Sequence, residues 1–291
     1  MQKNTKLGPA KIALLLLAIV LVAAWIFPLW NVAVSSTKSL PGYANSKPWA
    51  FARGENPIVQ FGKNVQRAIQ GSQRGNGIRP ALFNSLLYSV TGSVIAIACA
   101  ALAAFSLACL RVRGRFFFFL LLFSGTVFPL QVYLIPLFTL FQKTNLYDTK
   151  IALILVYIAI CIPFCVFLLR NWFLDVPLEI YEATKIDGAS DLQAFRLIFV
   201  PLSKAPFAAL FLFQFTWIWN DYIFGTTFAR SGTTRSIMAL LAAQQNMYSS
   251  MGTPAILASA IFVSIPTLFL VIFFRNTFFK GMALQFSGSS K

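Results

Sequence analysis

Histidine is absent from this chain of 291 residues, and Asp and Glu together number 8 against 24 Lys and Arg. The commonest metal ligand and the usual neutral-pH acid–base group are therefore missing. Few carboxylates remain for general acid–base work. The four cysteines, Cys99, Cys109, Cys161 and Cys165, all fall inside apolar stretches, where a thiol packs as a small hydrophobe. Cys161 and Cys165 share a helix face at i and i+4, but with no histidine to join them no metal site is expected. A phosphate-cradling G-x-x-x-x-G-K-[ST] loop is lacking too, since Gly62-Lys63 has neither the first glycine nor the Ser or Thr. The chain is expected to have no catalytic residues and to bind no cofactor of its own.

What it does have is apolar length. With 58% hydrophobic and 11% charged residues and a mean hydropathy of +0.72, it must use lipid as part of its solvent. Apolar stretches lie near 12–34, 81–110, 116–141, 151–169, 205–228 and 255–279. Each approaches or exceeds the roughly 20 residues that a helix needs to cross the hydrocarbon layer. The expectation is an all-α integral membrane protein with six transmembrane helices and one membrane domain over 1–291. The first stretch follows Lys3, Lys6 and Lys11 as a secretion signal would, but its apolar run continues through Trp25, Phe27, Pro28 and Trp30, beyond a signal core of about 7–15 residues. It reads as a retained helix.

Lys and Arg favour the cytoplasmic side, so the basic N-terminus and the cluster Arg111, Arg113, Arg115 are placed inside, two spans apart. Segment 170–204 and the C-terminus then lie inside as well. One segment disagrees: 35–80, placed outside, carries Lys38, Lys47, Arg53, Lys63, Arg67, Arg74 and Arg79 against Glu55 alone.

Segment 170–204 holds Asp175, Glu179, Glu182, Asp187 and Asp191, five of the eight carboxylates. Asp175-Val176-Pro177 reads as a helix start with an acceptor at the N-cap. Asp187-Gly188 reads as its end, and Ser190-Asp191-Leu192-Gln193 as a capping box opening a second helix. Pro201 and Pro206 are expected to stop that helix. Within this unit stand Glu182-Ala183-Thr184, then Gly188, then Ile198-Phe199-Val200-Pro201. This resembles the E-A-A, three residues, G, nine residues, I-x-L-P loop of permease subunits in bacterial ABC importers, with Thr184 and Val200 departing from it. Asn84-Ser85-Leu86, Ala108 to Arg115, Pro129-Leu130-Gln131 and Trp219-Asn220-Asp221 are similar to landmarks of the maltose-type carbohydrate branch, whose smaller permease the chain resembles.

The resemblance implies a type I ABC importer permease fold working by alternating access in the bacterial inner membrane. It implies a second permease subunit as heterodimer partner, two ATPase subunits that bind ATP and Mg, an external solute-binding protein and surrounding lipid; no nucleic acid partner is expected. Glu182, Ala183, Thr184, Asp187, Gly188, Ile198 and Pro201 would couple to the ATPase. Gln244, Gln245, Asn246, Met247 and Tyr248 would contact the binding protein, and the tail after Gly281 would approach the ATPase.

Asp221 is an ionisable residue inside an apolar stretch, which at a lipid-facing helix centre would cost about 2.5–3.5 kcal/mol. With Trp217, Trp219 and Asn220 it lines the translocation path or makes helix–helix hydrogen bonds within the heterodimer; both readings stand. The three segments placed outside, 35–80, 142–150 and 230–254, carry a net excess of basic residues, which complements an acidic binding protein, lipid head groups or an acidic saccharide cargo. A permease for another solute class, such as amino acids or phosphate, is the alternative substrate reading. A secondary carrier would need paired intramembrane charges or an internal repeat, and neither is seen.

Overall fold

The computed structural model describes the backbone of residues 9–71, 77–244 and 252–288, and the side chains of residues 11–71, 77–244 and 252–275. Among the described residues every regular element is helical. The chain divides into two compact units, residues 1–77 with 244–263 and residues 78–243 with 264–291.

The first unit opens with α1 (Pro9–Ser36), followed by α2 (Leu40–Asn45) and α3 (Pro57–Gln70). The connection after α1 folds around buried polar groups. Lys38 is fully buried and donates its Nζ to the Lys47 carbonyl at 2.8 Å. Glu55 accepts from the Ser39 amide at 2.7 Å and from the Ser39 hydroxyl. These bonds hold the Glu55 carboxyl below its ordinary range. α3 turns Gln60, Asn64 and Ala68 inward, the reverse of an apolar-in helix, because what it covers is backbone. Asn64 donates to the Ser36 carbonyl at 2.8 Å and the Lys38 carbonyl at 2.9 Å, satisfying acceptors that burial would otherwise orphan. Of the basic residues in this segment Lys38 is thus internal, while Lys47, Arg53, Lys63 and Arg67 are exposed.

The second unit contains α4 (Arg79–Cys109), α5 (Arg115–Ser124), α6 (Leu134–Lys143), α7 (Lys150–Asp175), α8 (Leu178–Ile186), α9 (Asp191–Ala194), α10 (Val200–Leu202), α11 (Lys204–Trp219), α12 (Ile223–Phe228) and α13 (Ile237–Gln244), which ends at the unit boundary. α14 (Thr253–Gly288) gives its first turns to the first unit and the rest to the second. Four helices, α1, α4, α7 and the first part of α14, are long and apolar enough to cross a membrane; Asp191–Leu202 and Lys204–Trp219, bent by 74° at their junction, pass the same test only when counted together as one broken span.

α4, α7 and α11 form the body of this unit. Lipid is as apolar as their side chains, so close packing rather than escape from water must hold them together. α4 meets the need with Gly92, Ala96, Ala100 and Ala104, buried at every fourth position. A Cβ on Gly92 would lie 2.9 Å from Ile218 Cδ1 and 3.2 Å from Tyr157 Cβ. One aromatic cluster gathers Phe105, Phe173, Phe195 and Phe199 with Leu169 and Leu210. A second gathers Tyr88, Tyr157, Phe224 and Phe228 with Val156 and Ile218.

The structure departs from the expected spans at two places. Over 116–141 there is no continuous helix: α5 and α6 have ten residues each, and a short 3-10 turn, Leu130–Tyr133, precedes α6. Pro129, with ψ 125°, itself lies outside the helical region and gives the turn its entry. Over 205–228, α11 stops at Trp219 and α12 starts at Ile223, because the Asp221 carboxylate takes the free amides of the next helix.

Candidate functional site

The segment between α7 and α11 is a helical hairpin. Asp175 is not the N-cap expected of it: α7 runs on through Asp175, Val176 is extended ahead of Pro177, and Pro177 itself precedes α8. A residue before proline is disfavoured in the helical region, which is why α7 ends there. α8 closes in a Schellman motif, with the Ala189 amide on the Thr184 carbonyl at 3.0 Å and the Gly188 amide on the Lys185 carbonyl at 3.1 Å. Gly188 has φ +78°, the left-handed conformation such an ending needs. Ser190 and Gln193 then form the capping box in full. Pro201 does not stop the second helix. The chain passes through a π-helical turn, Phe195–Phe199, where the Val200 amide reaches back to the Phe195 carbonyl, and continues to Leu202. The wider turn sits where the proline ring would press on the carbonyl four residues before it. The break falls at Ser203, where the axis bends by 74° into α11, with Pro206 in that helix's first turns.

A latch not foreseen from the sequence closes the hairpin. Asp191 accepts from the Tyr181 hydroxyl and from Lys185 Nζ, both at 2.8 Å. Lys185 also reaches the Ala189 carbonyl at 3.1 Å. Lys185 and Tyr181 hold the Asp191 carboxyl below its ordinary range, while burial and then Asp191 push the Tyr181 phenol up to about 12. Tyr181 and Lys185, one helical turn apart, were the available signal. The hairpin is bolted to the body by rings: Phe105 lies 5.0 Å from Phe199 and 5.3 Å from Phe195, and Phe173 lies 5.6 Å from Phe199. Glu182, Ala183, Asp187, Gly188 and Pro201 are exposed, Thr184 is buried and Ile198 half-buried. The Thr184 hydroxyl donates to the Tyr181 carbonyl at 2.7 Å. Ile186 and Leu197 stand 86% and 72% exposed, leaving apolar side chains on the outside of the hairpin.

Trp217, Asn220 and Asp221 line a cleft of about 710 Å3 together with Gln131, Thr216 and Tyr222. Trp219 does not. It lies about 200° around the helix from Trp217, is 1% exposed and stacks on Phe215 at 5.5 Å. Asp221 accepts from the Tyr157 hydroxyl and the Gly225 amide at 2.9 Å and from the Phe224 amide at 3.3 Å. It thereby ties α7 to the start of α12 while bordering the cleft.

At the other end of α4 and α7, a second constellation holds residues 230–237. Asn84 donates to the carbonyls of Thr233 and Arg235 at 2.9 and 3.1 Å. The Tyr88 hydroxyl donates to the Thr234 carbonyl at 2.6 Å. Ser85 Oγ accepts from the Ile237 amide at 2.8 Å. Asp148 accepts from the Arg230 amide at 2.8 Å, the Ser231 amide at 3.1 Å and the hydroxyls of Ser231 and Thr234. Burial alone would raise the Asp148 carboxyl, but these donors outweigh it and hold the group below its ordinary range. Gln244 closes α13; Gln245, Asn246, Met247 and Tyr248 lie outside the described residues.

Residues 92–282 match the family described as binding-protein-dependent transport system inner membrane component. The chain belongs to this family. The permease is accordingly a transport subunit and not an enzyme. It is 29% identical over 272 residues to the osmoprotective compounds uptake permease protein GgtD of Synechocystis sp., covering 93% of this chain and 88% of the relative. It is 30% identical over 244 residues to the trehalose transport system permease protein SugB of Mycobacterium tuberculosis, covering 80% and 88%. Its all-helical type I fold matches a chain in the crystal structure of a bacterial ABC transporter involved in the import of the acidic polysaccharide alginate. That match has a TM-score of 0.76 at 19% identity, covering 91% of this chain and 95% of that one.

Proposed function

We propose that this permease is one half of a heterodimeric sugar importer, with six spans and both termini in the cytoplasm. Its hairpin 178–202 docks one of two ATPase subunits, which bind ATP and Mg. An external solute-binding protein delivers the sugar, and the two permease halves admit it by alternating access. The observation that carries this reading is the hairpin, a twice-capped and latched element whose exposed side includes Glu182, Ala183, Gly188 and Ile186. A rigid projection with apolar side chains outside suits docking to a second protein. Support for a sugar comes from the relatives' names, trehalose among them, and from the cleft, whose indole, amides and carboxylate are the groups that stack on and hydrogen-bond a saccharide.

The test is reconstitution of the complete complex in proteoliposomes with its binding protein. Saccharides are expected to stimulate ATP hydrolysis and uptake, while amino acids and inorganic phosphate are not. Stimulation by an amino acid alone would overturn the sugar assignment.

A further inference from the structure

Arg115 and Arg170 stand together without a counter-charge. Arg115 is the first residue of α5, one helical turn before Phe119 on the same face, and Phe119 is the ring on which Arg170 of α7 rests. Arg170 lays its guanidinium over the Phe119 ring, 4.2 Å from the centroid, and its Nε is buried without a hydrogen-bond partner. Among the described residues the one ion pair is Lys185–Asp191, so no carboxylate neutralises either guanidinium. Two like charges in a partly desolvated place are unfavourable until an anion joins them.

Depth identifies that anion. Arg170 lies about 30 Å along α7 from Lys150, the thickness of the hydrocarbon layer, which places it at the head-group boundary on the hairpin side. Directly after Arg115, Phe116 and Phe117 are 64% and 65% exposed, an apolar surface for acyl chains. Arg111 and Arg113, also exposed, add positive charge beside it. We propose that Arg115 and Arg170 bind the phosphate of an anionic phospholipid, with its chains against Phe116 and Phe117. Arg170 precedes the end of α7 by five residues, so the lipid fixes the root of the hairpin in the membrane plane. The role assigned to the hairpin rests on the proposed function; the lipid site itself does not.

The complete complex in nanodiscs of phosphatidylcholine, with or without phosphatidylglycerol, tests this by native mass spectrometry of retained lipid. The wild type is expected to retain phosphatidylglycerol, and R115Q/R170Q to bind it about 30-fold more weakly, as two lost basic contacts at a membrane surface imply. R115K/R170K, which keeps both charges, is expected to retain it, and R113Q, which lies outside the pair, to weaken binding by no more than about 5-fold. Equal retention by R115Q/R170Q overturns the site. Displacement of the lipid by inorganic phosphate at physiological concentration overturns the lipid as its occupant. Loss of the ATPase subunits from R115Q/R170Q with lipid retention unchanged overturns it in favour of a partner's carboxylate.

Discussion

Gly188 allows the docking assignment to be separated from simple folding. Its φ is +78°, and a Cβ built on it would meet nothing within 4 Å. Within this chain a side chain therefore costs only conformation: about 1–2 kcal/mol for an L-residue in the left-handed region, more for a β-branched one and less for Asn. Gly188→Val should accordingly unwind the end of α8 in part, at a cost of about 2 kcal/mol or more. Gly188→Asn should leave the Schellman bonds of Ala189 and Gly188 intact. If an ATPase subunit packs closely on the bare backbone, both variants lose ligand-stimulated ATP hydrolysis and uptake, and only Val also lowers the thermal stability of the permease pair. The assay is stimulated ATPase activity in proteoliposomes, alongside hydrogen exchange of residues 184–193. Normal coupling in both variants would refute the docking role. Normal coupling in Asn with loss in Val would reduce Gly188 to a helix-terminating residue.

Asp148→Asn removes a carboxylate that accepts from Arg230, Ser231 and Thr234. Hydrogen exchange across 230–237 should rise by the equivalent of about 1–3 kcal/mol. Because the Asp148 carboxyl is held below its ordinary range, the wild-type clamp is complete above that range and lost only as pH falls through the lower folded value. Exchange in 230–237, once corrected for its intrinsic pH dependence, should therefore stay flat from pH 7 to about 5. Tyr181→Phe and Asp191→Asn both open the hairpin latch, and a double-mutant cycle on stimulated ATPase should show them non-additive. Cysteines placed at 244–248 should crosslink to the binding protein during transport, and a full scan without crosslinks would remove that loop from the contact. The exposed Lys47, Arg53, Lys63 and Arg67 should favour acidic over neutral oligosaccharides of equal length at low salt if the cargo itself is acidic. Equal stimulation at low and high salt would assign this charge to partner docking.

The hairpin was legible in the sequence because its signals are local: Gly188 for a left-handed turn, and Ser190 with Gln193 for a capping box, each act within four residues. Asp175 and Pro201 misled because tertiary packing lets α7 run to its end and lets a π-helical turn absorb the proline. The clamp on 230–237 was illegible for the opposite reason. Asn84 and Ser85 stand about 150 positions away in sequence from the groups they bind, and nothing in their neighbourhood announces the pairing. Hydropathy found the apolar stretches but not their breaks, since Pro129 and Asp221 interrupt the backbone without changing the average.

The aromatic clusters joining α4, α7 and α11 set the mechanical scale of the permease. α7 has 26 residues and is about 39 Å long. The latched hairpin hangs from one end and the 230–237 clamp is fixed to the other. Pro163 removes one backbone hydrogen bond near the middle of this strut, and the two clusters splint it on either side; under the proposed function a displacement at the hairpin face would reappear at the opposite face with reversed direction. A tilt of about 10° about its midpoint shifts each end by about 3 Å in opposite directions. Under the proposed function, pushing and opening become the two ends of one seesaw, whose geometry would oppose simultaneous opening to both compartments.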